Sequence, residues 1–235
     1  MPVPSASCIV VIEGIVNIGA NNLIGHGALI GGCPQDLSFD PKTQSRIEIG
    51  EHNVIREYCT IHRGTTEGSA TVVGNRNFLM AGVHLGHNCQ IANHVIVANN
   101  CLLAGYVHVG DGAFLGGGAL FHQFVRVGRL TMIQGGSQQS KDVPPFLIAG
   151  NLAEIFGVNV LGLRRAGFAE ADRNDIRRAF KLLCRSNLNT QQALKKAEGM
   201  EFGEAAREFF EFLRVESKRG FASYKGSAVS KKSLS

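Results

Sequence analysis

The chain has 235 residues, 44% hydrophobic and 18% charged, the balance of a globular protein of one or two domains. No apolar run approaches the ~20 residues of a membrane helix. The opening Met-Pro-Val-Pro-Ser-Ala-Ser has neither the cationic stretch nor the apolar stretch of a secretory signal, so a cytoplasmic protein is expected. The net charge of +5 is local: residues 1–168 carry ten Lys/Arg and ten Asp/Glu, residues 169–235 fourteen and nine.

Ile12, Ile18, Ile24 and Ile30 start a rhythm of six that Ile49, Ile55 and Ile61 resume. From Val73 it runs through Leu79, Leu85, Ile91, Val97, Leu103, Val109, Leu115, Phe121 and Val127 to Ile133 without a miss. A helix repeats near 3.6 residues and a half-buried strand at 2, so a fixed period of six marks one short strand and its turn, stacked many times. The fold class is a β-solenoid, a parallel β-helix of hexapeptide repeats. Small residues recur four places after each key position, as at Val83, Cys89, Val95, Cys101 and Val107, and this slot also faces inward. Three hexads close one triangular coil, so residues eighteen apart stack about 4.8 Å from one another.

Two stretches break the rhythm, Gly31–Ser45 and Arg63–Ala70, and must leave the prism as external loops. Loops on a rigid scaffold are where binding residues gather, which makes Asp36 a site candidate; the plainer reading is an Asx-turn residue. After Pro144-Pro145 the hexads stop, dividing the chain into a β-helix over 1–148 and a small α-helical domain with a basic tail over 149–235. Glu170–Ser186 and Gly203–Glu216 read as amphipathic helices, and Lys225–Ser235 as a loose tail. Arg173, Arg177, Lys181 and Arg185 are spaced by four, a basic stripe that is either a solvated face or a docking surface for an acidic partner. None of the six cysteines has a CxxC or zinc-type spacing; Cys59, Cys89 and Cys101 fall in the small inward slot, as packed thiols do.

Stacking also assembles chemistry that no local motif shows. His87, Gly105 and Gln123 lie eighteen apart and form a column on one edge, with His122 and His84 near it. A neutral imidazole can act as a general base and a glycine N–H one coil away can meet a developing oxyanion, a pairing that suits acyl transfer. From spacing alone, histidines scattered on an exposed face remain the alternative.

Pro34-Gln35-Asp36-Leu37, Ile61-His62-Arg63-Gly64-Thr65, Ala104-Gly105, His122-Gln123-Phe124, Asp142-Val143-Pro144-Pro145 and Phe156-Gly157-Val158-Asn159 occur in one order across residues 8–215. In this the chain resembles the UDP-N-acetylglucosamine O-acyltransferases, which open lipid A synthesis. The resemblance implies a left-handed β-helix, a homotrimer with sites between subunits, and transfer of an acyl or 3-hydroxyacyl chain from acyl carrier protein to a UDP-linked sugar. It implies no bound cofactor and no metal, the phosphopantetheine arriving on the carrier protein, and no nucleic acid partner. Carried over by position, His87 would be the base and Gly105 the oxyanion donor. Asp36, Tyr106, His122, Gln123, Asn159 and Arg165 would line the acceptor, His84 would sit by the thioester, and acidic acyl carrier protein would dock on Arg173, Arg177, Lys181 and Arg185.

Four positions depart from that pattern: Asn88 where an Asp commonly follows the base, Tyr106 for a His, Leu161 for a Glu and Ala166 for an Arg. The N-terminus also begins about two coils later than is usual in the family. Weakened or altered acceptor selectivity is therefore expected, with acylation of another nucleotide amino sugar, or a non-catalytic trimeric binding protein, as alternatives. A third reading, a zinc-dependent hydratase like the γ-class carbonic anhydrases, needs three converging imidazoles that His84, His87 and His122 do not match in spacing.

Overall fold

The computed structural model describes residues 9–224; the expected basic tail over Lys225–Ser235 lies outside the described residues. The hexads form a three-sided parallel coil. One face is a seven-stranded sheet running from Val11–Ile12 through His84–Leu85, Leu102–Leu103 and Leu120–Phe121 to Gln138–Gln139. The second is a six-stranded sheet from Ile15–Ile18 to Arg126–Val127, and the third a nine-stranded sheet that begins at Leu23–Ile24. Most strands have only two residues, because the backbone turns a corner after each key position. Strand pairs such as His84↔Leu102 and Leu102↔Leu120 fix the eighteen-residue coil.

From Ile30 onward the core is the column of key residues and small slots read from the sequence; at the N-terminal end of the prism Ile12 is 52% exposed and Ile18 and Ile24 are half-buried. Ile30, Ile61, Leu85 and Leu103 have no exposed surface, nor do Cys59, Cys89 and Cys101. Burial pushes the Cys89 and Cys101 thiols up to about 12, so they pack as neutral apolar groups.

The external loops occupy residues 33–45 and 63–69, between the strands Leu29–Gly32 and Arg46–Ile49, and Thr60–His62 and Ala70–Val73. Arg63 staples them together, donating to the carbonyls of Thr43 at 2.6 Å and Pro41 at 3.0 Å.

The third sheet continues beyond the hexads. Leu147–Gly150 adds in parallel to Met132–Ile133, Glu154–Val158 turns back antiparallel, and Ser223–Tyr224 returns from the helices to pair with it. Four helices lie between these last strands: α1 (Val160–Arg165), α2 (Glu170–Cys184), α3 (Thr190–Glu198) and α4 (Glu204–Arg214). The two amphipathic helices end two residues short of the expected bounds. Neither α1 nor α3 is apparent from periodicity, since six and nine residues span too few turns to show one. α3 is set by a capping box between Asn189 and Gln192. Arg126 pins the helices to the prism: its Nε meets the fully buried Asp142 carboxylate at 2.7 Å, Nη2 donates to the Val215 carbonyl, and the guanidinium lies 4.6 Å from the Phe212 ring centre. No helix among the described residues is long and apolar enough to cross a membrane.

Candidate active site

The corner between the first and second sheets carries the site. Each coil turns there on two residues, giving the pairs His87-Asn88, Gly105-Tyr106 and Gln123-Phe124 in successive coils. The second member of each has positive φ, at 60° for Asn88, 60° for Tyr106 and 68° for Phe124. Asn tolerates that region through its short polar side chain, whereas the two aromatics are strained in it and must be held by their surroundings. The cross-coil bonds Tyr106 N–H to His87 O (2.9 Å) and Phe124 N–H to Gly105 O (3.1 Å) do so.

Beside this corner is a cavity of about 290 Å³ lined by Gln35, His62, His84, His87, Gly105, Gln123 and the apolar Leu102 and Leu120. His87 is 7% exposed, and its Nδ1 lies 3.1 Å from Asn88 Oδ1. The Nε2 has no protein partner among the described residues. The ring packs directly over Gly105, in the space a side chain at 105 would need. The Gly105 carbonyl is taken by Phe124, but its N–H meets no acceptor among the described residues. At the next corner the equivalent N–H groups are capped: Glu51, Asn75 and Asn93 donate to the side-chain oxygens of Asn75, Asn93 and Asp111 at 2.7–2.8 Å. The site corner thus leaves open a donor that the neighbouring corner satisfies with an asparagine ladder.

His84 Nδ1 lies 2.8 Å from Thr60 Oγ1, where it can accept the threonine hydroxyl, and burial, with the His62 and His87 imidazoles nearby, pushes its pKa down to about 4. It is therefore neutral near pH 7. His62 is anchored through Nδ1 on the Cys33 carbonyl, its ring 5.0 Å from that of His84. Among the described residues no three His, Cys, Asp or Glu side chains converge as metal ligands.

The other candidates divide. Gln123 lines the cavity; His122 stands beside it, exposed, its Nδ1 3.3 Å from the Gln123 carbonyl. Asp36 is solvent-exposed and makes the Asx turn, accepting from the N–H and hydroxyl of Ser38. Those two bonds, with a smaller contribution from His87, hold its carboxyl below the usual range. Asn159 and Arg165 are not brought to the His87 cavity within one chain. Asn159 caps α1 through Gly162 N–H and donates to the Leu130 carbonyl on a different edge of the prism, and Arg165 is exposed at the end of α1. Tyr106 does not line the cavity, its hydroxyl being 2.9 Å from Thr65 Oγ1.

The basic stripe is thinner than its spacing implies. Arg173 is part-buried and turns back to the Phe168 carbonyl, and Arg185 lies over the Phe180 and Tyr224 rings and donates to the Tyr224 hydroxyl. Lys181 stands exposed, and among the described residues Arg177 donates only to Asn174 one turn back. A larger groove, about 730 Å³, runs between the second sheet and α4, past His108 and Arg126, on a different face from the base.

Thr65, His62 and Gln35 join the site without a signal in the eighteen-residue spacing. Thr65 sits in the second loop, whose insertion breaks the eighteen-residue stacking rule, so only the quoted His62-Arg63-Gly64-Thr65 run could have marked it.

The family model "Bacterial transferase hexapeptide (six repeats)" matches residues 70–105, and "Udp N-acetylglucosamine O-acyltransferase; Domain 2" matches residues 142–222. A curated relative from Gloeothece citriformis is 43% identical over 205 residues, 87% of this chain and 74% of its own. One from Burkholderia lata is 42% identical over 210 residues, 86% and 79%. Both are named as acyl carrier protein-dependent UDP-N-acetylglucosamine O-acyltransferases. The crystal structure of the Bacteroides fragilis UDP-N-acetylglucosamine acyltransferase superposes with a TM-score of 0.86 at 42% identity, covering 90% of this chain and 83% of that one. That of the Arabidopsis enzyme gives 0.86 at 34%, covering 91% and 79%. With this likeness, the three-sided parallel coil of hexads is a left-handed β-helix. By the identity of these relatives and the breadth of chain they cover, this protein belongs to the UDP-N-acetylglucosamine O-acyltransferase family.

Proposed function

We infer that this protein transfers an acyl chain from acyl carrier protein to UDP-N-acetylglucosamine, the reaction for which its relatives are named. The observation that carries the reading is the bare His87 Nε2 beside the unpartnered Gly105 N–H, in a cavity walled by Leu102 and Leu120. In the mechanism His87 Nε2 takes the proton of the acceptor hydroxyl as its oxygen attacks the thioester carbonyl. Gly105 N–H stabilises the oxyanion of the tetrahedral intermediate, and collapse expels the phosphopantetheine thiolate. A base of this kind supplies roughly 10²–10⁴-fold and one oxyanion donor about 10²–10³-fold. The protein brings no cofactor of its own to the step; the thioester arrives on the carrier protein. His84, neutral at pH 7, can donate Nε2–H to the thioester end of the donor.

The assembly is a homotrimer in this reading. Outward side chains of the first and third sheets form apolar columns, with Leu102, Leu120, Ile96 and Met132 37–42% exposed. Burying two such faces against neighbours would bring Asn159 and Arg165 of one copy to the His87 corner of the next, which explains why one chain leaves them apart. His122, Gln123 and the Asp36 loop then complete the acceptor site. The expected alternatives, another nucleotide amino sugar or a non-catalytic binding protein, find no support in the relatives.

Incubation with acyl carrier proteins of several chain lengths and a panel of UDP-sugars, with products read by mass spectrometry, tests this directly. Acylated UDP-N-acetylglucosamine should appear, and H87A should reduce turnover at least ~100-fold in a folded trimer. No product from any donor, or a folded H87A of normal activity, refutes it.

A further inference from the structure

Tyr106 is linked to the base through a chain of side-chain contacts. Its hydroxyl is 2.9 Å from Thr65 Oγ1, Thr65 Oγ1 is 3.0 Å from Asn88 Oδ1, and Asn88 Oδ1 is 3.1 Å from His87 Nδ1. Its ring meets the His87 imidazole edge-on at 5.2 Å and lies flat on Phe124 at 4.8 Å, and Lys218 from the segment after α4 places Nζ 4.4 Å above Phe124.

The direction of every proton in this chain follows from one obligate donor. The Thr65 backbone N–H is 3.0 Å from the same Asn88 atom, which must therefore be the amide oxygen and not its nitrogen. That oxygen can only accept, so the Thr65 hydroxyl donates to it. Thr65 has then spent its one proton, and the Tyr106 hydroxyl must donate to Thr65. At the other end, a bare His87 Nδ1 would set lone pair against lone pair, so Nδ1 carries the hydrogen. The lone pair of the imidazole is left on Nε2.

We propose that Tyr106, Thr65 and Asn88 form a positioning relay that locks His87 as the Nδ1–H tautomer, with the aromatic stack under Lys218 as its outer wall. This rests on the reading of His87 as the base. The relay is neutral throughout, a phenol, an alcohol and a carboxamide, so it orients the ring without the pull of a carboxylate on its proton. The ionisable groups that face His87 are His62, His84, Asp36 on the first loop and Tyr106 itself. Asn88 and Tyr106, the two substitutions at this corner, are parts of one device, since the Thr65 backbone N–H orients the Asn88 amide and the Tyr106 hydroxyl directs the Thr65 hydroxyl proton onto the same oxygen.

Y106F keeps the ring and removes only the hydroxyl. The relay predicts that kcat falls roughly fivefold to tenfold while KM for UDP-N-acetylglucosamine stays within about twofold, and that T65V behaves alike. A rise in KM with unchanged kcat would make Tyr106 an acceptor ligand and overturn the proposal. Ring ¹⁵N shifts of His87 in the free trimer, assigned against H87Q, provide a readout independent of turnover. They should show Nδ1 protonated at pH 7.5, with the Nε2–H form increasing in Y106F. A wild-type His87 carrying its hydrogen on Nε2 would sink the relay whether or not the enzyme acylates the sugar. Absence of acyl transfer with the Nδ1–H form in place would instead remove the functional reading and leave the relay standing.

Discussion

The His87 imidazole occupies the space that a β-carbon on residue 105 would fill. Gly105 has no positive φ, so the requirement there is room and not backbone freedom. G105A should therefore keep the coil but push the ring off its position over the open N–H. A loss of at least about 10²-fold in turnover is expected, near that of removing an oxyanion donor. Steady-state kinetics alongside circular dichroism checks it; a folded G105A trimer of normal turnover would separate the ring's position from the rate.

Acid stability should report His84. Its folded-state value of about 4 lies below the ordinary ~6.5, so the unfolded chain takes up the proton first. The stability this provides is present above ~6.5 and is lost as pH falls toward 4. Urea midpoints should drop between pH 7 and pH 5, and H84Q should flatten that slope. An unchanged slope would show that His84 titrates alike in both states.

Docking of the donor can be read from salt. R177E/K181E should raise the apparent KM for acyl carrier protein and weaken its ionic-strength dependence, because exposed charges steer association and are screened over about 10 Å at 0.1 M salt. Small acyl-thioester donors should be much less affected. R173E, whose parent side chain is part-buried, should instead damage the fold.

The Arg126–Asp142 pair should carry the attachment of the helices. Asp142 has no exposed surface and accepts both the backbone N–H and Nε of Arg126, so D142A would leave a guanidinium without its counter-ion in a low-dielectric setting. A destabilisation of about 3–5 kcal/mol is expected, seen first as a lower-temperature melting of the helical signal. Loss confined to the β-signal would contradict the pin.

The prism was legible because every coil repeats one physical requirement, an apolar key residue and a small slot facing a narrow interior. His87, Gly105 and Gln123 were legible for the same reason, since stacking converts spacing into proximity. Thr65 escaped it, because a loop of no fixed period delivers it to Asn88. Asn159 and Arg165 also lie beyond the stacking rule. They reside on another edge, where one chain's periodicity says nothing about which neighbour they face. Tyr106 was visible as a substitution, yet its partner was in the loop, so its part as a hydrogen-bond donor behind the base could not be read from the column alone.

The equality of the coils has a consequence for how the chain finds its register. Sliding one coil past its neighbour by eighteen residues would still place apolar key residues on apolar key residues, so the core alone barely distinguishes the native alignment from a misthreaded one. What breaks this degeneracy is everything that does not repeat: the loops stapled by Arg63, the asparagine ladder that ends at Asp111, and the single carboxylate at Asp142 awaiting Arg126. A chain stripped of these could assemble a well-packed prism whose base and oxyanion donor never meet.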